Sequence, residues 1–278
     1  VIASQVFALP VDEKLEAIRS ALPGANCGAC GYSGCDAYAI SLREGKETNV
    51  ALCPVGGEET AVELAEILGL EPPRFIPQTA YVFCQGTEKN TTKRYHYSGI
   101  ISCFAAMDLF SGPNSCTYGC IGFGDCVSAC PYGALSLSEG IAFVNSSSCR
   151  ACGLCVSTCP KNLIEIIPRH YNAYTVSCKN KWPGAQTRKN CKAGCIGCGR
   201  CARACPSNAI TMDGPLAVID QYLCTHCNQC LEVCPTHAIR RGLPIALGPD
   251  GEPIRSYASD EPPAPTPSLQ DILSQGKK

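Results

Sequence analysis

CKAGCIGCGRCARACP, residues 191–206, sets Cys195, Cys198, Cys201 and Cys205 in a fixed rhythm. Two residues separate each of the first three, three precede the last, and Pro206 follows at once. Three thiols so close together pair poorly as disulfides among themselves, and zinc knuckles use pairs of cysteines, not triplets. The spacing is an iron–sulfur spacing, in which three thiolates hold one cubane and the fourth crosses to a neighbour. Outward from this stretch the rhythm returns at Cys224, Cys227, Cys230 and Cys234, and at Cys149, Cys152, Cys155 and Cys159. It returns in altered form at Cys116, Cys120, Cys126 and Cys130. Proline follows Cys130, Cys159, Cys205 and Cys234 in every case. A fifth set, Cys27, Cys30, Cys35 and Cys53, is N-terminal and spaced differently, so twenty of the 24 cysteines fall into five sets of four.

A shift of 75 residues maps Cys103 on Cys178, Cys116 on Cys191, Cys120 on Cys195, and so on through Cys159 on Cys234 without a gap. C-x2-C-x2-C-x3-C-P is the signature of bacterial ferredoxins, so the repeat predicts two tandem modules of two clusters each. Segments 134–137 with 141–144, and 209–211 with 216–219, read as short strands of a small hairpin sheet. Residues 11–70 read as helical instead. Asp12 caps a first helix over 13–21, a second runs over 34–43, and a third over 58–68 ends at Gly69. The expected fold is therefore α+β: a helical one-cluster domain (1–70), a first ferredoxin module (71–170) entered through the Pro-rich 71–78, a second module (171–245), and a Pro-rich tail (246–278). The tail reads as plain disorder, with a short docking helix over residues 268–274 as the alternative.

The crossing rule predicts which thiols share a cluster. Cys149, Cys152 and Cys155 go with Cys130; Cys195, Cys198 and Cys201 with Cys234; Cys224, Cys227 and Cys230 with Cys205. The remaining set, Cys120, Cys126 and Cys159, lacks a thiolate because Phe123 stands where the repeat has Cys198. Either a three-iron cluster forms there or another thiolate substitutes, and Cys116 is the expected substitute. Five 4Fe–4S clusters result, one of them open to the 3Fe–4S form. Cys84, Cys103, Cys178 and Cys191 remain as buried free thiols by default, with a disulfide or a sixth cluster as alternatives.

The formal charge of −1 gives no pull toward nucleic acid or a membrane surface. Five oxidised cubanes at about −2 each bring the loaded chain to about −11, enough to matter for partner steering. No stretch reaches the ~20 apolar residues of a membrane helix, although residues 1–9, VIASQVFAL, are uncharged and could be the end of an anchor. With few aromatic residues, much of the interior must be cluster, so the metal-free chain should fold poorly. His96, His170, His226 and His237 have no matching partners and read as ordinary histidines. Lys179, Lys181, Arg188, Lys189 and Lys192 form a basic loop, either simply solvated or a docking surface for an acidic partner. No dinucleotide fingerprint, phosphate loop or nucleophile–base pair is visible, so no catalytic residue is assigned.

PGANCGACGYSGCDAYA (residues 23–39), with Cys53-Pro54 and Gly56-Gly57-Glu58 after it, resembles the N-terminal cluster domain of the Rnf complex B subunit. SGPNSCTYGCIGFGDCVSACP (111–131) and residues 191–206 resemble its long polyferredoxin form. The resemblance implies an electron-relay subunit of a membrane ion-translocating ferredoxin:NAD oxidoreductase. Such a subunit works on the cytoplasmic side of the cell membrane, takes electrons from soluble ferredoxin and passes them to other Rnf subunits. Family members carry an N-terminal membrane helix, which would end at VIASQVFAL. The alternatives are a soluble polyferredoxin serving a dehydrogenase or hydrogenase, and a structural or regulatory metal-binding module.

Overall fold

The structure, a computed structural model, describes residues 12–73, 75–169 and 174–242. The uncharged residues 1–9, His170 and the Pro-rich tail, expected disordered with a docking helix over 268–274 as the alternative, lie outside the described residues. Helix α1 (Glu13–Ala21) starts where the Asp12 carboxylate accepts the Leu15 N–H at 3.1 Å. Helix α2 (Cys35–Arg43) begins one residue after its expected start, because the Asn26 side chain accepts the Cys35 N–H at 2.8 Å. Helix α3 (Gly57–Leu68) ends at Gly69, whose φ of 71° suits a residue without Cβ. Ile18, Tyr38, Leu42, Leu64 and Ala65 meet in one core, and Cys53 packs into it. The cluster loops are thus mounted on a small helical core.

Next come strand β1 (Gln78–Val82), helix α4 (Cys103–Met107), helix α5 (Asp125–Ser128), strands β2 (Leu135–Ser138) and β3 (Ile141–Val144), helix α6 (Leu154–Thr158) and strand β4 (Ile164–Pro168). The second unit runs β5 (Tyr174–Val176), α7 (Gly184–Asn190), α8 (Arg200–Ala204), β6 (Ile210–Asp213), β7 (Leu216–Ile219), α9 (Gln229–Glu232) and β8 (Ile239–Arg241). β2 pairs with β3 and β6 with β7, each across a two-residue turn. Glu139 and Gly140 both have positive φ, whereas the second turn uses Gly214 at positive φ followed by Pro215. Proline cannot take positive φ, so the turn chemistry differs while the register is kept. Sequence periodicity located these hairpins to within a residue or two. It missed the outer pairs β1·β4 and β5·β8, whose partners are about 86 and 65 residues apart. It also missed α7, which occupies part of the expected basic loop.

Strand register exposes an insertion. Val82 faces Ile164 and Val176 faces Ile239. Ile164 and Ile239 obey the 75-residue shift, but Val82 and Val176 stand 94 apart, so the first unit carries 19 extra residues before Cys116. Cys84 is therefore the structural counterpart of Cys178. Each follows its strand by two residues, and each N–H bonds back to the strand, Cys84 to Val82 O at 2.9 Å and Cys178 to Val176 O at 2.7 Å. The ungapped pairing of Cys103 with Cys178 is thus corrected: Cys103 lies in the longer first-unit connection, at an offset that coincides with the repeat. Arg94 ties that connection down through Phe110 O and Gly112 O at 2.6 and 2.7 Å. Ile100, Ile101, Phe104 and Phe110 stay exposed on it.

Candidate metal centres

Among the described residues, thiols line at least four cavities. Cys27, Cys30, Cys35 and Cys53 enclose one, roofed by Leu22 and Tyr38. Cys130, Cys149, Cys152 and Cys155 enclose a second against Ala80, Leu135 and Ile166. Cys195, Cys198, Cys201 and Cys234 enclose a third against Val176 and Ile239. In these three the structure brings together the thiols that the spacing rules grouped. Cys205 and Cys224 pack on the core that holds Cys230, and the Cys224 thiol, raised first by burial, is raised further by Cys205 and Cys227.

The fourth cavity is lined by Cys120, Cys126, Cys159 and Cys103, with Lys161 at its edge. Cys116, the expected substitute for the missing thiol at Phe123, is not there. It packs with Cys191 and Ala193 beside Tyr118 and Trp182. The reason is tertiary. Ser102 caps α4, accepting the Phe104 N–H at 3.2 Å. Asp125, the first residue of α5, accepts the Cys103 N–H at 2.9 Å, the Ser102 hydroxyl at 2.8 Å and the Phe104 N–H at 3.2 Å. This carboxylate staples the inserted helix to the loop that carries Cys126. Burial pushes the Asp125 carboxyl up, but those hydrogen bonds outweigh it and hold its pKa below the usual value. Phe123, on the vacated side, stacks at 5.4 Å on Tyr97 of the insertion. The repeat offered one clue: Asp125 replaces Arg200 of the second unit, an acid placed to receive a helix N-terminus.

The backbone around the thiols is built to hold anionic sulfur. Cys149 Sγ accepts N–H bonds from Ala80 and Ala151 at 3.3 and 3.4 Å, Cys130 Sγ from Ala134 at 3.4 Å, Cys159 Sγ from Leu163 at 3.5 Å and Cys53 Sγ from Gly56 at 3.4 Å. Gly122 has φ +85°, and a Cβ there would lie 2.2 Å from Gly140 O; at Gly197 it would lie 2.7 Å from Pro215 O. Only glycine closes the ligand loop on the hairpin at these places. Burial raises the Cys120, Cys126 and Cys155 thiols to about 12, so without iron they stay protonated, and iron must displace those protons. Among the described residues no three Cys, His, Asp or Glu side chains converge tightly enough for a single ion. The thiols surround cavities, which fits a cubane.

Of the basic residues, Lys179 pairs with Glu165 and its ammonium lies 4.5 Å over the Phe83 ring, while Lys181 pairs with Asp213. Two of the five expected loop cations are thus committed to contacts within the chain. No helix among the described residues is long and apolar enough to cross a membrane.

Sets of four thiols on short loops beside paired hairpins define an iron–sulfur electron-transfer protein. Family models agree. A 4Fe-4S dicluster domain matches residues 115–163 and 194–240, a second dicluster model matches 148–209, and a putative Fe-S cluster model matches 22–55. The chain is 41% identical over 80% of its length to the B subunit of the Na(+)-translocating ferredoxin:NAD(+) oxidoreductase complex of Acetobacterium woodii, covering 67% of that protein. It is 40% identical over 81% to the B subunit of an ion-translocating oxidoreductase complex of Methanosarcina acetivorans, covering 85% of it. The B subunit of a proton-translocating ferredoxin:NAD(+) oxidoreductase complex of Clostridium ljungdahlii is 39% identical over 78% of the chain, with 77% of that protein covered. The chain belongs to the family of Rnf complex B subunits. It is an iron–sulfur protein of electron transport with several 4Fe–4S sites.

Proposed function

We propose that this chain is the relay subunit of an Rnf-type ferredoxin:NAD oxidoreductase, with no catalytic residues of its own. It accepts electrons from reduced ferredoxin on the cytoplasmic side and hands them to the membrane subunits. The observation that carries this reading is the contiguity of the thiol sets. Burial dominates the raised pKa of Cys152, and Cys27 of the N-terminal set adds to it. Cys155 is raised by burial, by Cys149 and Cys152 of its own set, and by Cys126 of the neighbouring one. Cys230 is raised by burial and Cys224, and then by Cys201 across the second unit. Sets close enough to feel one another's charge suit stepwise electron transfer.

Five 4Fe–4S clusters follow, in a helical domain and two tandem ferredoxin units. Their ligands are Cys27, Cys30, Cys35 and Cys53; Cys130, Cys149, Cys152 and Cys155; Cys103, Cys120, Cys126 and Cys159; Cys195, Cys198, Cys201 and Cys234; Cys205, Cys224, Cys227 and Cys230. Each cluster, when bound, supplies a one-electron couple whose potential is tuned by hydrogen bonds, burial and charge. The protein holds the thiolates and aims backbone N–H groups at sulfur. The exposed Cys198 and Cys227 support exchange with a soluble donor at the second unit.

Stopped-flow mixing of the loaded, oxidised chain with reduced ferredoxin tests the reading. Rapid bleaching of the cluster absorbance is expected. Reduction by dithionite but not by ferredoxin would overturn the assigned donor. Recovery of the native chain only in a soluble dehydrogenase complex would overturn the membrane assignment.

A further inference from the structure

Four cysteines remain outside those five sets: Cys84, Cys116, Cys178 and Cys191. They come as two structurally equivalent pairs, one member from each unit. Cys84 corresponds to Cys178 by strand register, and Cys116 to Cys191 by the 75-residue shift. All four lie at the seam between the units. Cys116 and Cys191 pack against each other in one buried cluster. Next to Cys84 and Cys178 the seam is closed by Tyr81 Oη and Ser177 Oγ at 2.6 Å and by Gln85 Nε2 donating to Ala238 O at 3.1 Å. Beside Cys191 it is closed by the Lys192 N–H on Asn90 O at 2.9 Å and the Thr91 hydroxyl on Asn190 O at 2.9 Å.

We infer that Cys84, Cys116, Cys178 and Cys191 hold a sixth 4Fe–4S cluster, shared between the two units. The inference rests on the iron–sulfur relay reading above and extends it. The surroundings repeat those of the other sets. Cys84 Sγ accepts the Gly86 N–H at 3.2 Å and the Cys120 N–H at 3.4 Å. Backbone N–H groups of Asn180 and Cys195 act in the same lowering sense on the Cys178 thiol, those of Tyr118 and Gly119 on Cys116, and those of Ala193 and Gly194 on Cys191. The N–H groups near each thiol stand at equivalent positions in the two units, and N–H groups directed at sulfur favour its thiolate form. Cys84 is raised by burial and then by Cys116 and Cys178, while Cys116 is raised by burial and then by Cys191 and Cys178. Cys84 thus lies near Cys116 and Cys178, and Cys116 near Cys178 and packed with Cys191.

The position also gives the site a purpose. Cys120, a thiol of the fourth cavity, donates its N–H to Cys84. Cys195, a thiol of the third, lies near Cys178 and adds to the rise of its thiol pKa. The seam cluster would stand between the two units and join their clusters into one line, taking one electron from one neighbour and passing it to the other.

Native mass spectrometry of the full chain, reconstituted anaerobically with iron and sulfide, counts clusters directly. Six are expected, with about 24 irons per chain by chemical analysis. The double variant Cys84→Ser/Cys178→Ser should lose one cluster, about four irons, and keep the EPR signals of the others. Cys116→Ala/Cys191→Ala should do the same. Five clusters on the parent chain, with the four seam thiols free, disulfide-bonded or holding one zinc, would overturn the inference and leave the relay reading intact. Six clusters that survive both double variants would equally overturn it. Fewer than five on the parent chain would refute the relay reading itself. The parent count decides the matter even if a variant fails to fold.

Discussion

Lys161 offers the sharpest test of how the protein sets a cluster potential. Its ammonium donates to Ser111 O and Thr117 O, both at 2.7 Å. The side chain lines the cavity of Cys103, Cys120, Cys126 and Cys159. Burial pushes the lysine pKa down, and the Cys116 and Cys159 thiols push it back up. A fixed cation beside a cluster favours the form with one more electron, so it raises the potential. At ~8 Å, one unit of charge interacts with another by ~2 kcal/mol at an effective dielectric of ~20, and by ~0.5 kcal/mol in water. For a one-electron couple that corresponds to about 20–90 mV. Lys161→Met should therefore lower the potential of this one cluster by that amount, while Lys161→Arg keeps the charge and should leave it nearly unchanged. An EPR-monitored redox titration of the loaded full-length chain reads both values. A potential that rises in Lys161→Met, or that moves equally in both variants, would refute the electrostatic reasoning.

Cys103→Ser should convert the cluster of the fourth cavity to a three-iron form, visible as the near-isotropic EPR signal of oxidised 3Fe–4S, with about one iron lost per chain. Cys116→Ser should leave that cluster intact; the opposite pattern would restore Cys116 as its ligand. Gly122→Ala adds left-handed strain of about 1–2 kcal/mol to a clash with the Gly140 carbonyl. It should lower occupancy of the same cluster, read by iron and sulfide analysis, with wild-type occupancy as the contrary result. Chelation of iron under reducing conditions should unfold both ferredoxin units together, because cysteines make up much of their cores. A near-native circular dichroism spectrum after iron removal would contradict that coupling.

The sequence by itself determined what is local. Thiols two and three residues apart can meet one cubane only in a tight loop, so C-x2-C-x2-C-x3-C-P announces both the chemistry and the loop. Asp12, the glycine stops and the alternating strands marked α1, α3 and the two hairpins for the same reason: caps, turns and alternation act over a few residues. The repeat carried the grouping of thiols from separate loops, since Cys130 and Cys234 line the same cavities as the triplets they were grouped with.

Tertiary structure alone decided the rest. Which thiol, Cys116 or Cys103, stands beside Cys120, Cys126 and Cys159 depends on where a 19-residue insertion folds back, and Asp125 grips the N-terminus of α4 there. Proximity in sequence favoured Cys116, four residues from Cys120, but its side chain faces the seam and packs on Cys191. The equivalence of Cys84 with Cys178 became visible only through strand register, because an insertion of that length hides it from any ungapped shift. The gathering of four leftover thiols at one seam has no local signature, since it arises when two repeated units pack together and bring equivalent residues face to face.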